Sequence, residues 1–313
     1  MSSPAVTLVT YHYVRPLAGS QFPTLKALDL RAFEAQLDYL GRHYQFVSME
    51  SVIALFNGER VDLPPNPVVL TFDDGYADHF RYVFPRLFDR RIPGAFYPAA
   101  ATAIDRQILD SNRVHFVLAA IADPDVLIEM IEAGIEAGRD AHQLWTIEQY
   151  RDEFMTASRF DQPRVAYAKR MLQFVLPDRL RHSIADAAFQ RFVTKDQSGF
   201  AEELYMGAAE LRTMRGNGMH IGLHGDKHVW LGKLSREEQV AEISGSFRVL
   251  KMLGSPCNNF SFCFPYGNYN HDTLTVLDGL GCALALTTRP AVARLTDPRL
   301  EIPRLDTNQL PRG

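Results

Sequence analysis

Val68-Val69-Leu70-Thr71-Phe72-Asp73-Asp74-Gly75-Tyr76 is a short apolar run that ends abruptly in two adjacent carboxylates and a glycine. A continuous apolar run bounded by a turn signal is the pattern of a strand covered on both faces, as in a parallel sheet. In parallel α/β folds functional groups collect just past the carboxyl ends of strands, and Asp73 and Asp74 stand at that place. Two neighbouring carboxylates repel unless something separates their roles, such as a metal ion binding one of them. Asp-Gly is also a common turn dipeptide and Asp a good helix N-cap, so the segment alone supports a plain turn equally well.

Outward from this run, six others share its character: Val6–Thr10, Phe46–Ser48, Gly94–Tyr97, Met219–Leu223, Phe260–Phe264 and Cys282–Thr287. Helical patterns separate them. One runs through Phe33, Leu37 and Leu40; another opens on the capping box Ser235-Arg236-Glu237-Glu238 and stops at Gly254; a third starts after Asn270 and ends at Gly281. Strand alternating with helix predicts a parallel sheet, and about seven such units predict a barrel rather than an open sheet. Between about 104 and 204 the alternation stops. Helical spacing persists there (Val114, Leu118, Ile121; Leu127, Ile131, Ile135; Ala168, Leu172, Val175) with no strand pattern. A hundred residues is too long for a plain loop, so the stretch reads as a helical insertion within a single domain, 1–313.

The 313 residues, 46% hydrophobic and 22% charged, suffice to bury a core without a disulfide or metal staple. Thirty-three basic against 37 acidic residues give a net charge of −4, with no basic block. That excludes an electrostatic case for nucleic-acid or membrane-surface binding. Cys257, Cys263 and Cys282 form no CxxC pair and read as buried thiols in a reducing compartment. The residues before Val6 lack a charged start and an apolar core, and the stretch Val114–Ala122 is too short to span a bilayer. The expectation is a soluble, cytoplasmic chain without a transmembrane segment.

Two further motifs follow candidate strands. In Gly222-Leu223-His224-Gly225-Asp226-Lys227-His228 the histidines stand at i and i+4, on one face if the segment turns helically. With Asp74 they make two imidazoles and one carboxylate, a three-ligand set with open positions suited to zinc or another divalent transition metal. Phe262-Cys263-Phe264-Pro265-Tyr266-Gly267-Asn268 ends a strand in a Pro/Gly turn that exposes backbone N–H groups near the same rim. The sequence holds no GxxxxGK[ST], HExxH or GxSxG, and no dinucleotide fingerprint follows Gly216-Asn217-Gly218.

In this order, TFDDG, HxxxH and a strand ending in PYG resemble the polysaccharide deacetylase family, carbohydrate esterases with a NodB-type domain. The resemblance covers about residues 6–98 and 205–290. It implies an incomplete (β/α)7 barrel and metal-dependent hydrolysis of N-acetyl, or sometimes other acyl, groups on sugars. By position it makes Asp73 the general base, Asp74, His224 and His228 the ligands of one divalent ion, and the backbone N–H of Tyr266, after Pro265, an oxyanion donor. Zinc is the first choice of metal, with cobalt, nickel or iron as alternatives. The chain departs from the family at Gly225, where Ser or Thr is usual, and at Cys263, where arginine is common. It also lacks a C-terminal LxH to supply an acid. Some relatives place the acid on the first strand, and Tyr11-His12-Tyr13-Val14 makes His12 the candidate.

Trp230 is a candidate sugar-stacking wall or simple packing beside the site. Arg304, in Ile302-Pro303-Arg304-Leu305-Asp306, reads as a surface ion pair unless the tail reaches the site. Asp78 and His79 read as a solvated helical face, and His115 and His220 as structural. The resulting expectation is an N-deacylase acting on a sugar nucleotide or glycan precursor of polysaccharide synthesis. The alternatives are an amide hydrolase for a small nitrogenous metabolite and a non-catalytic glycan-binding relative.

Overall fold

The computed structural model describes residues 5–158 and 161–311. It divides into two compact units, one of residues 1–16, 27–107 and 201–313, the other of residues 17–26 and 108–200.

The first unit carries the strands: β1 (Ala5–Tyr11), β2 (Gln45–Phe46), β3 (Pro67–Asp73), β4 (Gly94–Tyr97), β5 (His220–Ile221), β6 (Phe260–Cys263) and β7 (Cys282–Leu286). All seven predicted runs form strands. β3 is central: β1 pairs with it in parallel, from Thr7 opposite Val68 to Tyr11 opposite Phe72, and β4 pairs in parallel with Leu70 through Asp73. β2 touches only the start of β3, with Phe46 opposite Val68. β4 pairs with β5, a parallel bridge from Leu223 to Phe262 leads on to β6, and β6 pairs with β7. The ring then closes through the C-terminal segment, where Ile302 bridges Leu286 and Leu305 and Asp306 pair in parallel with Val9 and Thr10. This is the mixed α/β, incomplete (β/α)7 barrel that the strand–helix alternation predicts.

Alternation along the strands sorts the side chains. Val9, Leu70, Phe72 and Phe262 pack with helix residues such as Phe33, Leu37, Leu87 and Ile243 in one cluster, while Leu8, Val69, Tyr97, Cys263 and Leu286 form another with Ile302. The first is the strand–helix layer and the second the barrel interior. Four predicted runs overreach their strands; β6 ends at Cys263 and β7 at Leu286, before the predicted Phe264 and Thr287. Ser48 is not in a strand but caps the helix Met49–Phe56, its Oγ accepting from the Ser51 N–H at 3.1 Å. Of Met219–Leu223 only His220–Ile221 keeps strand geometry. The capping boxes hold: Ser235 and Glu238 exchange bonds at the start of Arg236–Met252, and Asn270 caps His271–Gly279.

The second unit is helical, with no strand among its described residues. Its helices include Asp110–Ala120, Asp125–His142 and Asp178–Phe192. Leu127, Ile131 and Ile135 are buried at the predicted spacing, and Phe22, Phe116, Phe189 and Phe200 meet edge to face. Residues 17–26 carry no helical periodicity and join this unit through contacts such as Thr24 Oγ1 to the Ala119 carbonyl at 2.9 Å. Among the described residues no helix is long and apolar enough to cross a membrane.

Candidate active site

Asp73 is the last residue of β3 and is in phase with Val69 and Thr71, so the strand period aims it into the barrel. It is 2% exposed and accepts from Arg304 Nη1 at 2.9 Å and Nη2 at 2.8 Å. Thr10 Oγ1 and the Cys263 thiol complete its surroundings, each at 3.4 Å. Burial works to raise this carboxyl, but Arg304 and then His224 outweigh it and hold Asp73 well below the usual carboxylate range.

Arg304 is not a surface residue. It is 1% exposed, and its remaining donors reach Thr71 Oγ1 at 3.0 Å and the Thr287 carbonyl at 3.1 Å. The segment that closes the barrel carries it inward, which its place in the sequence does not reveal. All three of its nitrogens donate to protein oxygens, two of them to Asp73. Where the resemblance leads one to expect arginine stands Cys263, and the guanidinium beside Asp73 comes from the C-terminal segment.

Asp74 leaves the strand by a left-handed turn, with φ 71° here and 72° at Gly75. Asp tolerates this region, whereas position 75 needs glycine on two counts, since a Cβ there would stand 2.7 Å from Pro98 Cβ. Asp74 Oδ2 accepts from the Tyr76 hydroxyl at 2.6 Å, and Oδ1 faces His224 Nε2 at 3.2 Å and His228 Nε2 at 3.3 Å. The histidines do not lie on a helix. Gly225 (φ 79°) and His228 (φ 57°) fold their loop back instead. A Cβ at Gly225 would stand 2.9 Å from Glu242 Oε1, the atom that accepts from the Lys227 N–H at 2.7 Å. Glycine here therefore admits a buried carboxylate that holds the loop.

The donor set fits a cation. Asp74, His224 and His228 are buried and their ligand atoms lie within 4.8 Å of one another. His224 Nδ1 donates to the Cys263 carbonyl at 2.8 Å, so in the neutral ring Nε2 presents a lone pair to the Asp74 carboxylate. Two acceptors facing each other in a buried site need a positive charge between them. Asp74 Oδ1 and His228 Nδ1 have no hydrogen-bond partner among the described residues. Burial opposes ionisation of Asp74, yet the two imidazoles hold it well below its ordinary value. Burial likewise disfavours a charged His224, but Asp74 and Asp73 prevail and raise it.

His12 follows β1 directly and is exposed; since Tyr11 is opposite Phe72, it emerges level with Asp73 on the neighbouring strand. Tyr266 adopts φ 57° on the turn after β6, its ring 4.6 Å from His228 and stacked on Trp230 at 4.7 Å. Pro265 is buried beneath this turn and Trp230 is half-buried. The solvated face expected for Asp78 and His79 is wrong, since both are buried, at 4% and 0% exposure. His220 bridges Glu50 and Ser261, each at 2.7 Å, away from the ligands; His115 lies on the helix Asp110–Ala120. Sequence reading missed Tyr76, Thr10 and Glu242. Tyr76 sits inside the quoted motif, but nothing local says that its hydroxyl turns back on Asp74.

The sequence model of the family described as Polysaccharide deacetylase matches residues 60–171 and 183–285, well over half of the chain. The match runs into the helical stretch, further than the resemblance read from the motifs. No curated protein sequence matches this chain. Similar solved structures include the Streptococcus pyogenes deacetylase PplD in complex with acetate, with TM-score 0.60 and 16% identity over 97% of this chain and 93% of that one. IcaB from Ammonifex degensii has TM-score 0.57 and 19% identity over 96% and 91%. The BpsB deacetylase domain from Bordetella bronchiseptica has TM-score 0.56 and 15% identity over 98% and 97%. At these identities the likeness speaks for the fold.

Proposed function

The chain belongs to the polysaccharide deacetylase family, hydrolases of carbon–nitrogen bonds, and from that premise we propose that it removes the N-acetyl group from an amino sugar in a glycan or glycan precursor of polysaccharide synthesis. One observation carries the reading: the two adjacent carboxylates have separate surroundings, Asp74 among imidazoles and Asp73 against a guanidinium. That division suits one carboxylate to holding a metal and the other to moving a proton.

A divalent ion held by Asp74, His224 and His228, zinc by the ligand types, would polarise the acyl carbonyl and acidify a water. Arg304 keeps Asp73 ionised and fixes its plane, so that one oxygen can take the proton of the attacking water. The water oxygen bonds to the acyl carbon, and in this reading the Tyr266 N–H, on the turn after β6, donates to the developing oxyanion. His12, at the open rim, gives a proton to the sugar nitrogen as the C–N bond breaks, leaving acetate and a free amine. The stacked rings of Trp230 and Tyr266 offer a flat apolar wall for a pyranose. The three free thiols suit a reducing, cytoplasmic setting, in which the substrate is a sugar nucleotide or precursor.

Metal content and acetate release, measured together on wild type and His224→Ala, test this. About one transition metal per chain in wild type, little in the variant, and acetate from N-acetylated amino sugars are expected. Turnover of small cyclic amides in place of sugars would move the activity to nitrogenous metabolites. Absence of metal from both proteins after supplementation would end the hydrolytic reading.

A further inference from the structure

Asp78 and His79 are buried beside the site, and the chemistry so far gives them no task. His79 Nε2 lies 2.8 Å from the His12 carbonyl oxygen. A carbonyl only accepts, so Nε2 carries the hydrogen and Nδ1 is bare. Nδ1 has no hydrogen-bond partner among the described residues; the rings of Phe72, Tyr76 and Phe96 stand around the imidazole at 5.4, 5.6 and 5.8 Å. An apolar side chain would fill that space without an unsatisfied nitrogen, so what the histidine adds is its donor to His12. Burial pushes His79 down to about 4, which keeps it neutral in this role.

Asp78 works in parallel. Its carboxylate takes Arg15 Nε at 2.7 Å and Arg15 Nη2 at 3.0 Å, and the Val14 backbone also donates to it. Between these ties Tyr13 stacks on Tyr76 at 4.0 Å. Each residue from 12 to 15 is thus fastened to the segment 76–79, which follows the paired carboxylates. β1 ends at Tyr11, and beyond it Val14 and Arg15 pair in parallel with Leu28 and Asp29 while the Tyr13 carbonyl accepts from the Leu28 N–H at 3.0 Å, so the His79 bond is the tie that reaches the backbone of the exposed His12 itself.

We infer that Asp78 and His79 are positioning residues, which anchor the backbone of residues 12–15 and so hold His12 at Asp73 and Asp74. The catalytic consequence rests on the acid role proposed for His12. An acid that must meet the leaving nitrogen within hydrogen-bond reach loses rate steeply when its backbone is free to move.

The test compares His79→Leu, which removes the donor, with His79→Gln, whose amide can replace it; Arg15→Met cuts the parallel tie at a partly exposed position. The probes are penta-N-acetylchitopentaose, whose amine must be protonated to leave, and 4-nitrophenyl acetate, whose phenolate leaves unaided. Hydrogen exchange of residues 12–15 is followed against 68–74, with metal content as a control. His79→Leu is expected to lower kcat on the sugar about 10- to 100-fold, with KM and ester hydrolysis within about twofold. Exchange at 12–15 should quicken about tenfold or more with 68–74 unchanged, and His79→Gln should restore both. Arg15→Met should show the same pattern at smaller size. Unchanged exchange in His79→Leu, or equal losses on sugar and ester, would overturn the inference. His12→Ala, run alongside, separates the two claims: if it spares the sugar reaction, the acid role falls, and the exchange result alone decides the anchoring.

Discussion

At the scale of single residues the site is a division of labour between Asp73 and Asp74, set by what each is placed against. Arg304 gives Asp73 two charge-assisted bonds in a buried setting, where removing one partner strands the other. Arg304→Met is therefore expected to destabilise the chain by about 3–5 kcal/mol. Burial would then act on Asp73 with its strongest opponent gone and raise its pKa, so the acidic limb of the rate–pH profile should move to higher pH; an unmoved limb would free Asp73 from the role of base. The linkage has a definite sign. Asp73 is held below its ordinary 3.8, so its pairing contributes stability in full above about pH 4. That contribution is lost as the pH falls from there through the folded-state value. Thermal unfolding from pH 6 to pH 2 should show a steeper acid loss in wild type than in Asp73→Asn. The carboxylates were identifiable in the sequence because they end an apolar run, whereas Arg304 was not, because its partner lies 231 positions away.

Elements fix where these residues point. The two candidate-ligand histidines come together through a loop with two left-handed residues, and the i, i+4 spacing is right that they meet although the helix it suggests is absent. Gly225→Ser should cost about 1–3 kcal/mol through its φ of 79° and the crowding against Glu242, and metal binding should weaken with it. Ser235→Ala makes the contrast. It removes a helix cap for about 1 kcal/mol and should leave metal content at the wild-type level. Equal metal loss in both variants, by elemental analysis, would mean that the ligand loop senses global stability and not its own geometry. The caps at Ser235 and Asn270 could be read directly because a cap is decided by residues three apart. Ser48 was misassigned because a polar residue at a strand's end is equally the first residue of a helix.

The whole molecule adds what no element has alone, the closure of the barrel. Ile302 bonds to Ala285 and Thr287 of the β7 side, and Leu305 and Asp306 pair with β1, so the segment between them carries Arg304 to the interior. Ile302 is fully buried, and Ile302→Ala should cost about 2–5 kcal/mol. If closure is what delivers the guanidinium, that variant should also shift the acidic limb in the direction of Arg304→Met, at smaller size. A loss of stability with the limb unmoved would show that Arg304 holds its place without the seam.

The sequence alone determined the seven strands, the caps and the insertion's helical character, since each rests on local period or on residue type at short spacing, and it singled out Asp74, His224 and His228, which the structure brings together as a candidate metal-holding group. Only the tertiary structure decided that Asp78 and His79 are buried, that Glu242 shapes the histidine loop and that Arg304 is buried against Asp73. These depend on which distant segments the closed barrel brings within 3 Å, and hydrophobic period records burial against a core without naming the partner.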